Sequence, residues 1–136
     1  MTMIRRSFLP VAVLLGLAAV PAFAAYKRTF DARWKEAEEN VRSGAGQQYF
    51  DQVFFKESQA KYAVHMTECA QRTGERMLTD LSAVIQLGKE GQVLGILVRP
   101  ETKPSKCFAD LVKRDTFSPP PSEPFSIPVT IKFTVQ

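Results

Sequence analysis

The sequence predicts an α+β protein, in which N-terminal helices precede a three-stranded antiparallel sheet and a further helix joins strands 2 and 3. Apolar and polar residues alternate strictly near the carboxyl end, which is the period of a strand with one buried face. Two shorter apolar segments flank a turn with glycine at both ends, which indicates a β-hairpin. Before them, apolar residues recur at helical spacing among charged ones. We expect one polar sheet face and one face covered by helices.

The first 24 residues have the features of a secretory signal peptide. Arg5 and Arg6 precede an apolar run over residues 8–20, and the small residues Ala22 and Ala24 predict cleavage after Ala24. The alternative is retention of this segment as a membrane anchor, for which it is short. Cleavage lowers the formal net charge from +4 to +2, because the two arginines are the only charged residues removed. We expect a periplasmic protein that is not inserted in the membrane after cleavage and does not bind nucleic acid.

The remaining chain is long enough for one domain with its own core. We expect a single domain over residues 25–136. Its first part, residues 25–74, has helical periodicity, and its second part, residues 75–136, contains the strand signals. No internal repeat divides them.

Two amphipathic helices are predicted in the first part. The first covers residues 29–42, with Thr29 as its N-cap and Ser43-Gly44 as its stop. The second covers residues 46–72 and ends at Gly74. Its core-facing side is expected to consist of Phe50, Val53, Phe54, Ala60 and Val64.

The second part predicts the order strand, strand, helix, strand. A short helix begins at Pro104-Ser105, and the proline-rich residues 115–124 form an extended connection. Gly88-Lys89-Glu90-Gly91 is the hairpin turn. The strands are predicted over residues 81–87, 93–99 and 125–135.

Two cysteines, Cys69 and Cys107, remain after signal cleavage. An exported chain folds in an oxidising compartment, so a disulfide between them is the leading prediction. The alternative is a pair of buried free thiols that pack as small apolar residues.

The sequence contains no arrangement of residues that predicts catalysis. His65 is the one histidine, and it cannot complete a zinc site with two cysteines that pair with each other. Neighbouring acids such as Glu38 and Glu39 face apart on a helix. No nucleophile elbow or phosphate-binding glycine loop is present. We therefore expect a protein that is not an enzyme and holds neither metal nor cofactor.

The second helix carries more aromatic residues than one buried stripe needs. Tyr49, Phe55 and Tyr62 fall partly outside the stripe and could form a partner-binding patch or a homodimer seam. In the alternative interpretation, Trp34 and the first helix cover them.

The second part of the chain resembles the C-terminal domain of the TonB family of envelope energy transducers and its TolA-like relatives. The resemblance lies in the hairpin turn at residues 88–91, the helix at residues 105–114, the run Phe117-Ser118-Pro119-Pro120-Pro121 and the closing strand. It covers about half of the mature chain. A transducer also needs an anchor and a long proline-rich spacer, and neither is evident. The paired cysteines make the chain look like a stand-alone variant of this domain.

The resemblance implies that a partner peptide adds as a strand to an exposed sheet edge. Edge strands offer unpaired N–H and C=O groups to any matching segment. Pro128 is tolerated only at an edge or a bulge, although it could serve merely to block aggregation there. The partner is expected to be an envelope protein. The strand residues expected to bind it are Phe125, Ser126, Pro128, Thr130, Lys132 and Thr134.

Two other functions are compatible with the sequence. A secreted inhibitor or immunity protein of an envelope hydrolase would present a protruding loop, for which residues 115–124 are the candidate. An anchored assembly factor would require that the signal peptide is retained.

Overall fold

The structure is a computed structural model that describes residues 22–133, with side chains from Thr29 onward. It confirms the predicted α+β class, with an antiparallel sheet and a helix between the second and third strands. Most of the predicted signal peptide lies outside the described residues. In chain order the elements are α1 (Ala22–Asn40), α2 (Gly44–Tyr49), a π-helical turn (Phe50–Phe54), α3 (Phe55–Thr73), β1 (Leu81–Leu87), β2 (Val93–Arg99), α4 (Lys103–Val112) and β3 (Phe125–Ile131).

The first helix differs from its prediction at both ends. α1 begins at Ala22, so Thr29 is not its N-cap, and the predicted cleavage position after Ala24 falls within its first turn. It ends at Asn40, and Ser43 is instead the N-cap residue of α2. The charged residues around Thr29 suit a helix interior as well as a helix start, so their pattern did not locate the boundary.

The second predicted helix is confirmed in extent but interrupted by the π-helical turn. Gly74 ends α3 in the left-handed conformation, with φ of 68°, as its position predicted. Phe54 is buried, but Ala60 is exposed and Val64 is 64% exposed, so their assignment to the core was wrong. A turn with i→i+5 bonds shifts the phase of every later residue around the helix axis. A single 3.6-residue period carried through this turn therefore selects the wrong side of α3.

The three strands pair in the order β2-β1-β3, and both pairings are antiparallel. Gly91 has φ of 83° in the hairpin turn, and its N–H donates to the Gly88 carbonyl oxygen over 3.0 Å. β3 forms from Phe125 to Ile131 as predicted, but its burial does not alternate, because Phe125, Ser126 and Ile127 are all buried. The predicted continuation of the strand to Val135 lies beyond the described residues.

One face of the sheet packs against the helices that follow α1. The core there contains Phe54 of the π-helical turn, Cys69 of α3, Phe108 of α4 and inward residues of β1 and β3 such as Ile85 and Ile127. α3 and α4 pack directly on each other. The disulfide between Cys69 and Cys107 joins them, with the two Cα atoms 5.7 Å apart, which confirms the predicted pairing.

The second sheet face is also covered, and the expectation of an open polar face was wrong. α1 packs across β3 and β1, and Phe30 and Ala37 are fully buried against Val84 of β1. The Arg99 guanidinium lies 4.3 Å from the centre of the Phe30 ring and forms an ion pair with Asp31. The sequence did not indicate that this face is covered, because some of its residues, such as Ser126, are polar although they are buried. Polar residues that alternate with apolar ones suggest an exposed face.

Among the helices that the structure describes, none has both the length and the hydrophobicity of a membrane-spanning segment.

Candidate functional site

β3 forms an edge of the sheet. Its one described neighbour is β1, and Pro128 sits opposite Val84 in the pairing. A proline has no N–H to donate, so it is tolerated where its nitrogen faces away from the neighbouring strand. The prediction that the last strand lies at an edge is confirmed.

Two hydrogen bonds and the position of Pro128 establish which backbone groups of β3 point outward. The Ser126 carbonyl oxygen accepts a hydrogen bond from the side-chain amide of Asn40 over 3.1 Å. Pro128 has no N–H, so its nitrogen can face away from β1 without losing a hydrogen bond. In contrast, the Phe133 N–H donates to an Asp80 carboxylate oxygen at the start of β1, over 3.2 Å. Alternate residues of a strand direct their N–H and C=O to opposite sides. The outward set is therefore Ser126, Pro128, Thr130 and Lys132.

A groove of about 400 Å³ runs along this edge, between β3 and α3. We call it the edge groove. Its lining is mainly apolar and includes Phe50, Phe55, Met66, Val129, Ile131 and Lys132. Phe55 is 50% exposed, which is unusual for a large aromatic residue next to a core. Unpaired backbone groups and an open apolar surface thus lie side by side.

The predicted strand residues divide between the core and the edge. Phe125 and Ser126 are 3% and 1% exposed, so their assignment to a partner-binding surface was wrong for the side chains. Phe125 packs edge-on against Tyr49, because the start of β3 faces α2. Pro128 is half-buried, and Thr130 and Lys132 are exposed beside the edge groove. Thr134 lies outside the described residues.

Of the three predicted aromatic residues, Phe55 remains at the surface. Tyr49 and Tyr62 are each 7% exposed, so the expectation that they project from the core was wrong. Trp34 and α1 do not cover them either, because α1 lies on the other sheet face. The ring of Phe108 in α4 lies 5.3 Å from that of Tyr62, and Phe125 packs on Tyr49. Helical spacing alone could not show which side of the π-helical turn each tyrosine would face.

Tyr49 fixes the loop that leads to β3. Its hydroxyl donates to the Ser118 carbonyl oxygen over 2.6 Å. Burial, followed by the nearby Glu57 carboxylate, raises the pKa of Tyr49 to about 12. Glu57 also accepts bonds from the N–H and hydroxyl of Ser118. These contacts attach the loop at Ser118 to Tyr49 of α2 and Glu57 of α3.

A second polar cluster links α3 to the residues after α4. His65 Nε2 lies 2.8 Å from a carboxylate oxygen of Asp115, and both side chains are mostly buried. Burial, followed by the charges of Asp115 and Tyr49, raises the pKa of Tyr62. No group of three or more metal-ligating side chains occurs within the described residues. His65 is half-buried, which is one of the two positions, surface or half-buried, that its sequence context predicted.

The loop proposed for an inhibitor is partly attached to the body of the protein. Phe117 is 3% exposed and packs on Phe54, with ring centres 4.8 Å apart. Lys61 donates to the Thr116 carbonyl oxygen over 3.4 Å, and the N–H and hydroxyl of Ser118 donate to the Glu57 carboxylate. Only the later residues, 119–124, lie mostly exposed between these contacts and β3.

The edge groove continues beyond Lys132 into a second hollow of about 570 Å³. Met66 lines both hollows, and Arg76 is the charged residue in the lining of the second. Neither Arg76 nor Lys132 forms an ion pair with any residue that the structure describes. We call this part, around Arg76, Lys132 and Phe133, the basic end of the groove. Sequence reasoning missed Arg76, Met66 and Asn40, because their roles depend on residues distant in the chain.

Comparisons with known protein families, with curated proteins and with solved structures found no match.

Proposed function

We propose that this chain is a periplasmic protein-interaction module, which binds an extended segment of an envelope protein by strand addition to β3. The observation that carries the proposal is the outward backbone of Pro128, Thr130 and Lys132 next to the open apolar edge groove. An added strand would bond to the backbone groups, and its alternate side chains would enter the groove.

The energetics favour such a partner. Phe55 keeps half of its surface exposed, and covering about 100 Å² of apolar surface contributes roughly 2.5 kcal/mol. The backbone of β3 is already ordered by its pairing with β1, so binding costs conformational entropy mainly in the partner segment. The resemblance to the TonB C-terminal domain supports the same mode.

The disulfide and the predicted signal peptide support export to the periplasm. Glutathione and thioredoxin keep cytosolic thiols reduced, whereas an exported chain can retain a structural disulfide. Identification of the N-terminal residue of the purified protein by mass spectrometry tests this proposal. A chain that begins after Ala24 supports it, and one that still begins at Met1 contradicts it.

A proline substitution tests strand addition directly. Thr130→Pro removes the outward N–H at the centre of the open edge, and Thr130→Val is the matched control that keeps this N–H. We expect partners from envelope extract to be recovered by the wild type and by Thr130→Val, and to be lost with Thr130→Pro. Thermal unfolding verifies that both variants remain folded. Equal recovery by all three proteins would exclude strand addition at β3.

Hydrogen exchange provides a second test, which compares the free wild-type protein with its complex and needs no variant. The outward amide of Thr130 should exchange fast in the free protein and slowly in the complex, because the added strand accepts its bond. The Val129 amide, which points to β1, is the internal control and should change little. Slowing at Val129 without slowing at Thr130 would place the partner elsewhere.

A further inference from the structure

We propose that the added strand is short and acidic at one end, because Asn40 limits pairing to residues 128–132 and the basic end of the groove selects a carboxylate side chain. This inference rests on the proposed function and adds the length and charge of the bound segment.

The limit on length comes from the helix on the opposite sheet face. Asn40, the last residue of α1, donates its side-chain N–H to the outward carbonyl oxygen of Ser126. Phe125, one residue earlier, is buried against Tyr49. A strand that pairs with β3 therefore loses its partner groups before Ser126. The open edge of residues 128–132 is about 17 Å long, which suits a segment of about five residues.

Pro128 further narrows the set of bonds. It offers a carbonyl oxygen and no N–H, so the complete donor and acceptor pairs lie at Thr130 and Lys132. The hydrogen bonds of the added strand are thus concentrated toward the basic end of the groove. Side chains that enter the groove there meet Met66, Val129 and Ile131, which favour apolar groups.

The charge preference follows from the lining of the two hollows. Lys132 and Arg76 are the charged residues that line them, and no acidic residue in the described part of the chain does so. Asp80 lies near this end, but its carboxylate accepts the Phe133 N–H. A glutamate or aspartate of the partner near this end would lie beside Lys132 or Arg76, neither of which forms an ion pair with a described residue. We therefore expect an acidic side chain next to the paired segment.

Synthetic peptides with blocked ends test the inference. The simplest probes contain about five residues of alternating valine and threonine. One peptide carries two glutamates at its amino end, and another carries them at its carboxyl end. Each of these peptides has a counterpart in which lysines replace the glutamates. Fluorescence anisotropy with the mature protein should show one glutamate peptide binding several-fold tighter than its lysine counterpart. The difference should shrink in high salt and in Lys132→Gln or Arg76→Gln. Lys35→Gln, on α1, is the charge-matched control.

Peptide length tests the role of Asn40. Extending the better probe to about nine residues should leave its affinity for the wild type unchanged. In Asn40→Ala, which frees the Ser126 carbonyl oxygen, the longer probe should bind tighter than the shorter one. Glu39→Ala is the control, because Glu39 is the exposed residue next to Asn40 in α1. Tighter binding of the longer probe by the wild type would overturn the limit on length.

The outcomes separate this inference from the proposed function. Binding that depends on Thr130 but not on peptide charge overturns the acidic end and leaves strand addition intact. Failure of every peptide to bind overturns both. A concentration-dependent dimer that Thr130→Pro dissociates would identify a second copy of the chain as the occupant, and would also overturn the acidic segment.

Discussion

Gly91 is a residue at which the hairpin turn and the loop before β3 are in close contact. A Cβ atom at this position would lie 1.7 Å from the Phe117 carbonyl oxygen, and φ is 83°. The Phe117 N–H also donates to the Gly91 carbonyl oxygen over 2.9 Å. The glycine is therefore required by the neighbouring backbone as well as by the turn.

We predict that Gly91→Ala lowers the free energy of unfolding by about 2–4 kcal/mol, because it adds a backbone clash to left-handed strain. Gly44→Ala is the matched control, since Gly44 has φ of 61° and a Cβ atom there would meet no atom within 4 Å. The control should cost only about 1 kcal/mol. Urea unfolding of both variants measures the difference. Equal losses would show that the Phe117 loop moves away without cost.

Tyr49 gives the stability of the protein a specific dependence on alkaline pH. Its pKa is raised from about 10 in the unfolded chain to about 12, so the protonated phenol is favoured in the folded state. The resulting stabilisation is complete below pH 10 and is lost as the pH rises toward 12.

Tyr49→Phe removes both this titration and the bond to Ser118. We predict a loss of about 1 kcal/mol in unfolding free energy at neutral pH. The difference from the wild type should shrink above pH 10, because only the wild type loses stability through Tyr49. The charge of Tyr49 also contributes to the raised pKa of Tyr62, so the difference reports this phenol together with its effect on Tyr62. A constant difference at all pH values would contradict the raised pKa.

At the scale of elements, the disulfide is the covalent link between α3 and α4. It closes a sequence separation of 38 residues, and Cys69 is completely buried. The same two helices also contact each other through Tyr62 and Phe108. The link therefore reinforces an interface that is already packed.

We predict that reduction of the wild type lowers the unfolding free energy by about 3–4 kcal/mol, because the open chain gains conformational freedom when unfolded. The double variant Cys69→Ala and Cys107→Ala should show a similar or slightly larger loss, since it also removes buried sulfur. Chemical denaturation with and without reductant measures both. A loss below about 1 kcal/mol would show that helix packing alone holds α3 to α4.

The edge groove is also a property of elements. The π-helical turn rotates Phe55 away from the core and toward the outer edge of β3. Phe54 and Phe55 are neighbours in the sequence, yet the first is 1% exposed and the second 50% exposed. The turn thereby places an aromatic residue on each side of the boundary between core and groove.

At the scale of the whole molecule, the described residues form three layers, with the sheet between two layers of helices. α1 covers one face, and α3 with α4 covers the other. Phe30 is the largest buried residue of the α1 layer, and it is enclosed by Val84, Trp34 and Arg99. Its burial attaches α1 to the sheet.

We predict that Phe30→Ala lowers the unfolding free energy by about 3–5 kcal/mol through the cavity it leaves. Phe55→Ala is the matched control, because its ring is half exposed, and it should cost less than about 1 kcal/mol while weakening peptide binding. Urea unfolding and peptide titration distinguish the two variants. A large stability loss in Phe55→Ala would indicate that the groove belongs to the core.

The sequence by itself determined the local elements and their order. The alternation in β3, the glycines at the hairpin turn and Gly74 after α3 act within a few residues, so their signals can be interpreted in sequence. The two cysteines, in a chain whose sequence predicts export, predicted the disulfide between α3 and α4. Pro128 likewise indicated the edge position of β3, because its missing N–H is a property of the residue alone.

Only the tertiary structure decided which faces are covered and where the open site lies. Asn40 bonds to Ser126 across 86 residues, and Glu57 bonds to Ser118 across 61, so no local pattern contains either contact. The π-helical turn changed which side of α3 faces the core, and α1 covered a sheet face that looked polar. The physical reason is that burial depends on the packing of whole elements, whereas periodicity reports only the residues that one element could bury.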